Sequence, residues 1–449
     1  MKSSLKRLTI LLAIACIVGS LAFAQAEVSQ KKEIAIFALG YYGWNIPSET
    51  LGTIDVDIQR VFLDLGRFTI LGMEKRFSAG SVEEFMNVLK KTKEANFVLP
   101  EKYQFGEEFL TEADFNKLVG AFIIAIPVVT SFNSEYVSNK EWRTNIKTNV
   151  TFIDVSTGNM MGIANVETFG SSKETQYKSI SSAIDGIPSQ LQYEIRSVRE
   201  FQNVTRVLAS DFSSVDMQLG QDMGIKKGDE YAVIVSDTLE GFEDEREVGL
   251  LVVKEVGSKR SKATILYSSI PVVKDVQLRE IPRLGMDFAP YLHTYSYFAD
   301  KDSGLDPNTT VVAGFRAEMT RGFYGIKPYA AVQLIIDTER WVPINAIIGA
   351  QFNMYLRRLE LGGRAGFAGS SNFIIRLIEE QFSSDDDPWL THYGASAGAY
   401  VSYLFGRDLK IFAEVQADYM LGIANGLGLG AAFNNYGGYQ IGLGVSFKM

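Results

Sequence analysis

Strict alternation of apolar and polar residues dominates the C-terminal third of the chain, at 286–449. In Leu409–Leu421 one phase is wholly apolar, whereas the other phase contains Lys410, Glu414 and Asp418. Because successive side chains of a strand point to opposite faces, this pattern predicts a strand with one apolar and one polar face. Eight such strands are predicted, and only the first alternates poorly. They are Asp287–Phe298, Val311–Thr320, Ile326–Asp337, Ile344–Leu356, Leu359–Ala368, Tyr393–Phe405, Leu409–Leu421 and Tyr439–Lys448.

The connections between these strands alternate in length. Short turns at 321–325, 357–358 and 406–408 alternate with connections that are mostly longer, which is typical of outer-membrane β-barrels whose short turns face the periplasm. Aromatic residues at the predicted strand ends resemble interfacial girdles. They are Tyr295, Tyr297, Phe298, Trp341, Tyr355, Tyr393, Tyr403, Phe405, Tyr419 and Tyr439. The pattern favours an eight-stranded antiparallel transmembrane barrel, in contact with outer-membrane lipid, over a soluble β-domain.

An eight-stranded barrel is narrow, and side chains fill its interior. The predicted inward face carries residues of both signs. They are Arg316, Glu318, Gln333, Asp337, Glu360, Arg364, Lys410, Glu414, Gln416 and Asp418. Because both signs occur, we expect a self-neutralising network in the lumen. The alternative, an ion-selective pore, would be favoured by an excess of one sign.

The C-terminal region resembles the small outer-membrane barrels of the OmpA and OmpX type in strand count, loop asymmetry and closing strand. Such barrels commonly end in a strand whose final residue is aromatic, which the barrel-assembly machinery reads. Phe447 has the right phase, although Lys448 and Met449 follow it. The resemblance implies that this machinery is a partner.

The N-terminus has the features of a cleaved signal peptide at 1–24. Three basic residues precede an apolar stretch, and Ala22-Phe23-Ala24 matches a small-x-small cleavage site. The stretch is shorter than the roughly 20 residues of a membrane-spanning helix. Lipidation of Cys16 is an alternative, disfavoured because apolar residues continue after it. Without Cys16 the mature chain has no cysteine, which excludes disulfides and thiol chemistry.

Charge argues against nucleic acid as a partner. Removing three of the 44 basic residues with the signal peptide leaves 41 basic and 53 acidic residues, a net charge of −12. No basic cluster suits a phosphate backbone.

Residues 30–200 alternate between strand and helix patterns and predict a periplasmic α/β module with helices on one sheet face. Its last helix is predicted as one long helix from Tyr177 to Val198, despite Pro188. The element order and the hairpin Asn149–Gly158 resemble the curli-secretion (CsgG-like) family, the TolB N-terminal domain and the middle domain of FlgT. We do not extend the channel formation of the curli family to this chain, because a convincing lipidation motif is missing and a separate barrel is present.

Residues 203–281 predict a second, all-β module. A strand is expected at Val207–Val215 and an acidic loop at Glu240–Glu247. The run Leu219–Tyr231, followed by Val248–Val253, resembles the small β-barrel domain at the C-terminus of FlgT. The resemblance implies an envelope scaffold rather than a catalyst.

Catalytic and cofactor motifs are not found in the sequence. The two histidines, His293 and His392, fall in separate barrel strands, and we find no nucleophile elbow, phosphate loop or metal spacing.

Asp300, Asp302 and Asp306 weakly resemble a calcium loop, but the helix flank and final glutamate are missing, which favours a solvated loop. An apolar stripe could contact a partner or the membrane, or pack on the barrel mouth. It consists of Phe373, Ile374, Leu377 and Ile378.

These observations lead to the hypothesis of a non-enzymatic scaffold or assembly factor. We expect residues 286–449 to anchor it in the outer membrane and residues 27–281 to act in the periplasm, with a protein partner that the sequence does not identify. A surface-exposed adhesin or a narrow porin-like barrel is the alternative.

Overall fold

The computed structural model describes residues 28–41, 46, 48–76, 81–91, 102–105, 108–111, 123–137, 140–239, 242–298, 309–321, 325–336, 344–371, 390–423 and 435–449. The predicted signal peptide lies outside these residues. Among the described helices, none has the length and apolar character needed to cross a membrane.

The first of three modules, here called the head, contains four helices among the described residues. Its elements are β1 (Lys32–Ala38), α1 (Ser48–Asp64), β2 (Phe68–Arg76), α2 (Ser81–Lys91), β3 (Lys102–Phe105), β4 (Glu108–Thr111), β5 (Ile123–Val137), β6 (Glu141–Asp154), β7 (Met160–Ser172), α3 (Gln176–Asp185) and α4 (Ile187–Ser197). The main sheet has the order β2-β1-β5-β6-β7, and β3 pairs with β4 separately. Strand β1 runs parallel to both of its neighbours.

Helices cover both faces of the head sheet, so the expectation that they cover one face is wrong. In β1, Ile34 and Ile36 point to one face and pack in a core with residues of α1, α3 and α4. Ala35 and Phe37 point to the other face and pack with α2, including Phe85. The strand is buried on both sides, which explains why it reads as a continuous apolar run.

The single helix predicted at Tyr177–Val198 is two helices in the structure. Helix α3 ends at the C-cap Gly186, and α4 starts directly after it with Pro188 in its first turn. Proline is tolerated there because its missing N–H group would have no partner within the helix. Periodicity alone did not reveal the break, since Ile184, Ile187 and Leu191 still share the buried face.

The second module, the small barrel, is a closed six-stranded barrel. Its strands are β8 (Val204–Ser210), β9 (Ser214–Met217), β10 (Glu230–Leu239), β11 (Phe242–Val256), β12 (Ser261–Ser268) and β13 (Gln277–Ile281), in the order β10-β11-β12-β9-β8-β13. Two expectations are wrong here. The strand predicted at Val207–Val215 is split by a turn, and the acidic segment predicted as a loop lies mostly in β11. Glu245 is stable in that strand because it pairs with Arg279 and Arg199.

The third module, the large barrel, is a closed barrel of eight antiparallel strands in sequence order. They are β14 (Met286–Tyr297), β15 (Thr309–Met319), β16 (Ile326–Ile336), β17 (Ile344–Leu356), β18 (Leu359–Ser371), β19 (His392–Leu404), β20 (Leu409–Gly422) and β21 (Tyr436–Lys448). Pairing of β14 with β21 closes it. The eight predicted strands and the closed antiparallel barrel are confirmed, with the two chain ends of the barrel at the short-turn rim.

Strand β14 alternates as regularly as the others, contrary to expectation. Its buried positions carry Tyr291, His293 and Tyr295, so this strand turns aromatic rings into the barrel. The proposed girdle is therefore wrong for Tyr295 and Tyr297, which are 0% and 5% exposed. Tyr355 also shares the inward phase with Gln351 and packs against the small barrel. Trp341 lies outside the described residues.

Candidate functional site

The lumen of the large barrel holds equal numbers of basic and acidic side chains among the described inward-facing positions. The basic residues are Arg316, Lys327, Arg364, Lys410 and Lys448, and the acidic residues are Asp287, Glu318, Glu360, Glu414 and Asp418. All are buried except Lys327, which is half-buried. Formal charge therefore balances inside the barrel, as a self-neutralising network requires.

Two arginines and two glutamates form the centre of this network. Arg316 is 1% exposed and donates from Nε to Glu318 at 2.6 Å and from both Nη atoms to Glu414 at 3.1 and 3.0 Å. Arg364 joins the same two carboxylates, at 3.1 Å from Glu318 and in direct contact with Glu414. Each carboxylate is shared by two guanidiniums, so the four charges neutralise one another across β15, β18 and β20.

A second cluster lies nearer the short-turn rim. Lys410 Nζ is 3.1 Å from both Asp287 and Glu360, and the Tyr400 hydroxyl donates to Glu360 at 3.1 Å. Burying an ammonium group is costly unless it is paired, and two carboxylates here supply that pairing. This cluster crosses the lumen from β14 through β20 to β18.

A third layer of the lumen is held mainly by amides. Gln440 donates to Gln333 at 3.1 Å and to Asp418, while Gln416 donates to Asp418 at 2.9 Å. His293 Nδ1 lies 3.0 Å from Gln440 Oε1, and its Nε2 lies 3.3 Å from Glu414. His293 thus links this layer to the central cluster, and side chains cross the lumen at each layer.

The small barrel covers the short-turn end of the large barrel. One apolar face of the small barrel, from β10, β11, β12 and β13, packs around Leu404 at the end of β19. Its buried members are Ala232, Ile234, Leu250, Val252, Leu266 and Ile281. The cavity left between Glu230, Val252 and Lys410 is about 20 Å³, which is space for about one water molecule.

The small barrel therefore forms a cap on the short-turn rim of the large barrel, and ion pairs hold it there. Glu230 of the small barrel contacts Lys448 and lies 3.0 Å from Arg283, and Arg283 reaches Asp408 of a short turn at 2.6 Å. Burial alone would raise the pKa of Glu230, but the charges of Lys448 and Arg283 prevail and lower it. Arg358 adds a contact at 3.8 Å from the ring of Tyr267. Lys448, on the inward face of β21, thus joins the large barrel to Glu230 of the small barrel.

A buried carboxylate joins the head to the small barrel. Glu280 accepts both Nη groups of Arg67, at 2.6 and 3.1 Å, and Nε of Arg196 at 2.6 Å. Burial would raise the pKa of Glu280, but the two guanidiniums and the backbone N–H of Asn203 lower it to about 2. Glu280 is 2% exposed, so this carboxylate needs both arginines of the head.

Asp229 connects all three modules. It lies 3.5 Å from Arg196 of the head and contacts Arg321 of a short turn of the large barrel. Two glycines lie where the backbones of the head and the small barrel meet. Gly66 and Gly224 have positive φ values of 67° and 74°. A Cβ at Gly224 would lie 1.9 Å from the Leu65 carbonyl oxygen. Only glycine permits this backbone contact between head and small barrel.

An open cleft of about 1280 Å³ also separates the head from the small barrel. Basic residues on its walls are partly neutralised within it, because Arg199 and Arg279 both pair with Glu245. Lys31 and Arg206 add positive charge along the same cleft.

Several predicted site residues cannot be placed. Asp337, the aspartates of the predicted calcium loop (Asp300, Asp302 and Asp306) and the apolar stripe (Phe373, Ile374, Leu377 and Ile378) lie outside the described residues. Within the described part of the chain, no group of three or more candidate ligands could hold a metal ion. The remaining predicted lumen residues all lie in the network above.

Sequence reasoning missed the joints between modules. Arg67, Arg196, Asp229 and Glu280 are ordinary charged residues in the sequence, far apart along the chain. The only local signal was that Asp229 lies near the end of the glycine-containing run Leu219–Tyr231. Pairing at separations of 84 and 213 residues has no periodic signature.

No protein-family model matches the chain, and no curated protein matches it either. Among solved structures, the chain is similar to neisserial surface protein A, with 11% identity, a TM-score of 0.26, and 37% of this chain and 97% of that chain covered. The N-terminal β-barrel domain of OprF from Pseudomonas aeruginosa gives 16% identity, a TM-score of 0.24, and coverage of 37% and 98%. PelC from Paraburkholderia phytofirmans gives 12% identity and a TM-score of 0.22, with 37% of this chain and 93% of that chain covered.

Proposed function

We propose that the large barrel anchors this protein in the outer membrane and that the head and small barrel act in the periplasm as a non-enzymatic scaffold or assembly factor. The observation that carries the proposal is the small barrel, which is bonded to both neighbours through Asp229 and Glu280. A module held in this way keeps the head in a defined position relative to the anchor.

The outer face of the large barrel supports the anchor. Outward residues at the middle of the strands are apolar and widely exposed, with Ile348 at 73% and Phe367 at 84%. Other members of this outward set are Leu292, Val332, Phe352, Val415, Ile441 and Leu443, each at least half exposed. A continuous apolar band of this kind is stable only against lipid or another apolar surface.

The closed lumen supports an anchor over a solute channel. Side chains cross the lumen in three layers, their charges balance, and the small barrel covers one mouth with a water-sized cavity behind it. The adhesin alternative depends on the long loops, which lie outside the described residues. The resemblance of the head to CsgG-like proteins and of the small barrel to FlgT remains part of the proposal, because both suggest periplasmic scaffolds.

The test uses a cysteine at the head, Tyr177→Cys, which is 65% exposed in the wild-type chain. In intact cells a membrane-impermeant maleimide should not label it, and labelling should appear once the outer membrane is permeabilised. Labelling in intact cells would contradict a periplasmic head.

The scaffold role needs a second measurement in the same cells. Cells that produce only a variant lacking residues 27–281 should show the same envelope defect as cells lacking the whole protein. Heat-modifiable migration of the variant should show that its barrel still inserts. Full activity from the inserted barrel alone, or measurable conductance of the pure full chain in planar bilayers, would reject the scaffold in favour of a surface role.

A further inference from the structure

A loop of the small barrel presents a largely exposed aromatic ring. Phe212 lies in the turn between β8 and β9 and is 84% exposed, a value matched among the described large apolar residues only by Phe367 on the outer face of the large barrel. A phenylalanine this exposed on the small barrel contributes nothing to its core. The ring therefore needs another explanation.

The turn that carries Phe212 is built to hold it in place. The carboxylate of Asp211 accepts hydrogen bonds from the backbone N–H of Ser213 at 2.9 Å and of Ser214 at 2.6 Å, and from the Ser214 hydroxyl at 2.7 Å. These bonds, with the Ser214 side chain contributing most, lower the pKa of Asp211 to about 2. The ring thus projects from a turn with a defined conformation.

An arginine of the large barrel lies against the Phe212 ring. The guanidinium carbon of Arg357 lies 4.6 Å from the centre of the Phe212 ring. Arg357 and Arg358 form the short turn between β17 and β18, and they point in different ways. Arg358 donates to the Leu404 carbonyl and seals the cap, whereas Arg357 is exposed.

The position of Arg357 relates this pair to the apolar band. The residues on either side of the turn, Leu356 and Leu359, are 53% and 42% exposed and belong to the outward phase of their strands. Arg357 therefore lies where the band ends and the periplasmic modules begin. At this level of an outer-membrane barrel, aromatic rings and arginines meet lipid headgroups.

We propose that Phe212 and Arg357 form an interfacial anchor on the periplasmic leaflet. The Phe212 ring lies among the headgroups, and the Arg357 guanidinium binds a phospholipid phosphate by charge-assisted hydrogen bonds. This proposal rests on the proposed function, since it requires the large barrel to span the membrane. It adds a second lipid contact, made by a module outside the membrane-spanning segment, which would limit tilting of the small barrel against the membrane plane.

Lipid fits this pair better than a protein partner because the site continues the apolar band of the barrel. Two exposed leucines, Leu356 and Leu359, flank the turn, and its exposed cation Arg357 lies against the Phe212 ring. A second copy of the chain or a periplasmic protein would have to bind at the rim that the leaflet already occupies.

The experiment uses nitroxide labels on the full chain reconstituted in vesicles of phosphatidylethanolamine and phosphatidylglycerol. Cys16 is the only cysteine and lies in the predicted signal peptide, so single labels can be placed at Phe212→Cys, Ile348→Cys and Lys259→Cys. Ile348 marks the outer face of the large barrel. Lys259 is exposed in the turn between β11 and β12, whose Ser258 bonds to Asp222 near the head.

Accessibility to oxygen relative to a water-soluble nickel complex reports the depth of each label. We expect a several-fold higher ratio at position 212 than at 259, approaching the ratio at 348. A label at 212 that behaves like the one at 259, while the label at 348 is in lipid, overturns the interfacial anchor and leaves the membrane span intact. A label at 348 that behaves like the one at 259 rejects the membrane span itself.

The role of Arg357 is tested with the label kept at position 212. Arg357→Gln should lower the oxygen-to-nickel ratio at 212 severalfold and leave the ratio at 348 unchanged, whereas Arg357→Lys should retain most of it. Arg260→Gln, an exposed arginine on the small barrel, is the matched control. Equal ratios for Arg357→Gln and the wild-type background would remove the phosphate contact from the proposal.

Discussion

The strands of both barrels alternate between apolar and polar residues, but the apolar residues face inward in the small barrel and outward in the large barrel. The small barrel turns apolar residues such as Val233 and Leu251 inward, whereas the large barrel turns Arg316, Glu414 and Lys410 inward and apolar residues outward. A strand has two faces, and the surroundings decide which one is apolar. The small barrel excludes water from an apolar core, whereas the outer face of the large barrel is suited to apolar surroundings.

The largest expected effect comes from placing a charge in the wrong barrel. Val233→Asp puts an unpaired carboxylate in the small-barrel core, where Val233 is 0% exposed. Because a buried charge without a partner is strongly unfavourable, we expect the small barrel to unfold. Limited proteolysis should then cut within 203–281 and leave the large barrel intact. The control Lys254→Asp, at an exposed position of β11, should remain resistant, and resistance of both variants would contradict the comparison.

The lumen should respond to the opposite change. Arg316→Met removes a cation and leaves Arg364 as the one guanidinium shared by Glu318 and Glu414, which should cost about 3–5 kcal/mol. Urea denaturation followed by heat-modifiable migration measures this cost. The double variant Arg316→Met with Glu414→Gln should recover a large part of it, because the charge is balanced again. A double variant as unstable as the single one would show that charge balance is not what stabilises the lumen.

The joint between head and small barrel should be sensitive to acid. The pKa of Glu280 is about 2 in the folded protein, below its ordinary value, so its contribution is present near neutral pH and is lost as pH falls from about 5 to 2. The shift corresponds to about 3 kcal/mol. Chemical denaturation of the head, followed between pH 7 and pH 3 by the circular dichroism of its helices α1 to α4, should show this loss. Glu280→Gln should be destabilised at pH 7 and show a smaller pH dependence, and an unchanged pH profile would contradict this role.

The smallest expected effect comes from a pair at the surface of the cap. Arg407 lies 2.9 Å from Glu247, and their side chains are 41% and 47% exposed. Exposed pairs contribute roughly 0–1 kcal/mol, so Arg407→Gln should change the denaturation midpoint little. A loss as large as that of Arg316→Met would mean that the cap depends on surface charge rather than on its buried apolar face.

The sequence predicted the large barrel well because alternation is a local signal that persists through each strand. The predicted bounds of β16, β17 and β20 differ from the observed ones by no more than one residue. The inward direction of β14 was missed because tyrosines occupy the lumen positions, so hydrophobicity alone does not distinguish its two faces. When aromatic rings lie beside arginines in the lumen, both faces of a strand carry apolar groups, and the alternation of apolar and polar residues is lost.

Contacts between modules could not be predicted in the same way. The cap depends on where Leu404 meets the small barrel, and the joints depend on pairs such as Arg67 with Glu280. The acidic segment around Glu245 looked like a loop because its partners, Arg199 and Arg279, are distant in sequence. Each of these features follows from tertiary pairing, which one-dimensional periodicity does not encode.

We propose that lipid covers the apolar exterior of the large barrel, and the anchoring role depends on this contact. Size-exclusion chromatography of the purified chain in detergent, with light-scattering, refractive-index and absorbance detection, separates the mass of bound detergent from the mass of protein. We expect a belt of detergent around a folded particle, and aggregation when the detergent is removed. A monodisperse, folded particle that binds no detergent in plain buffer would contradict it.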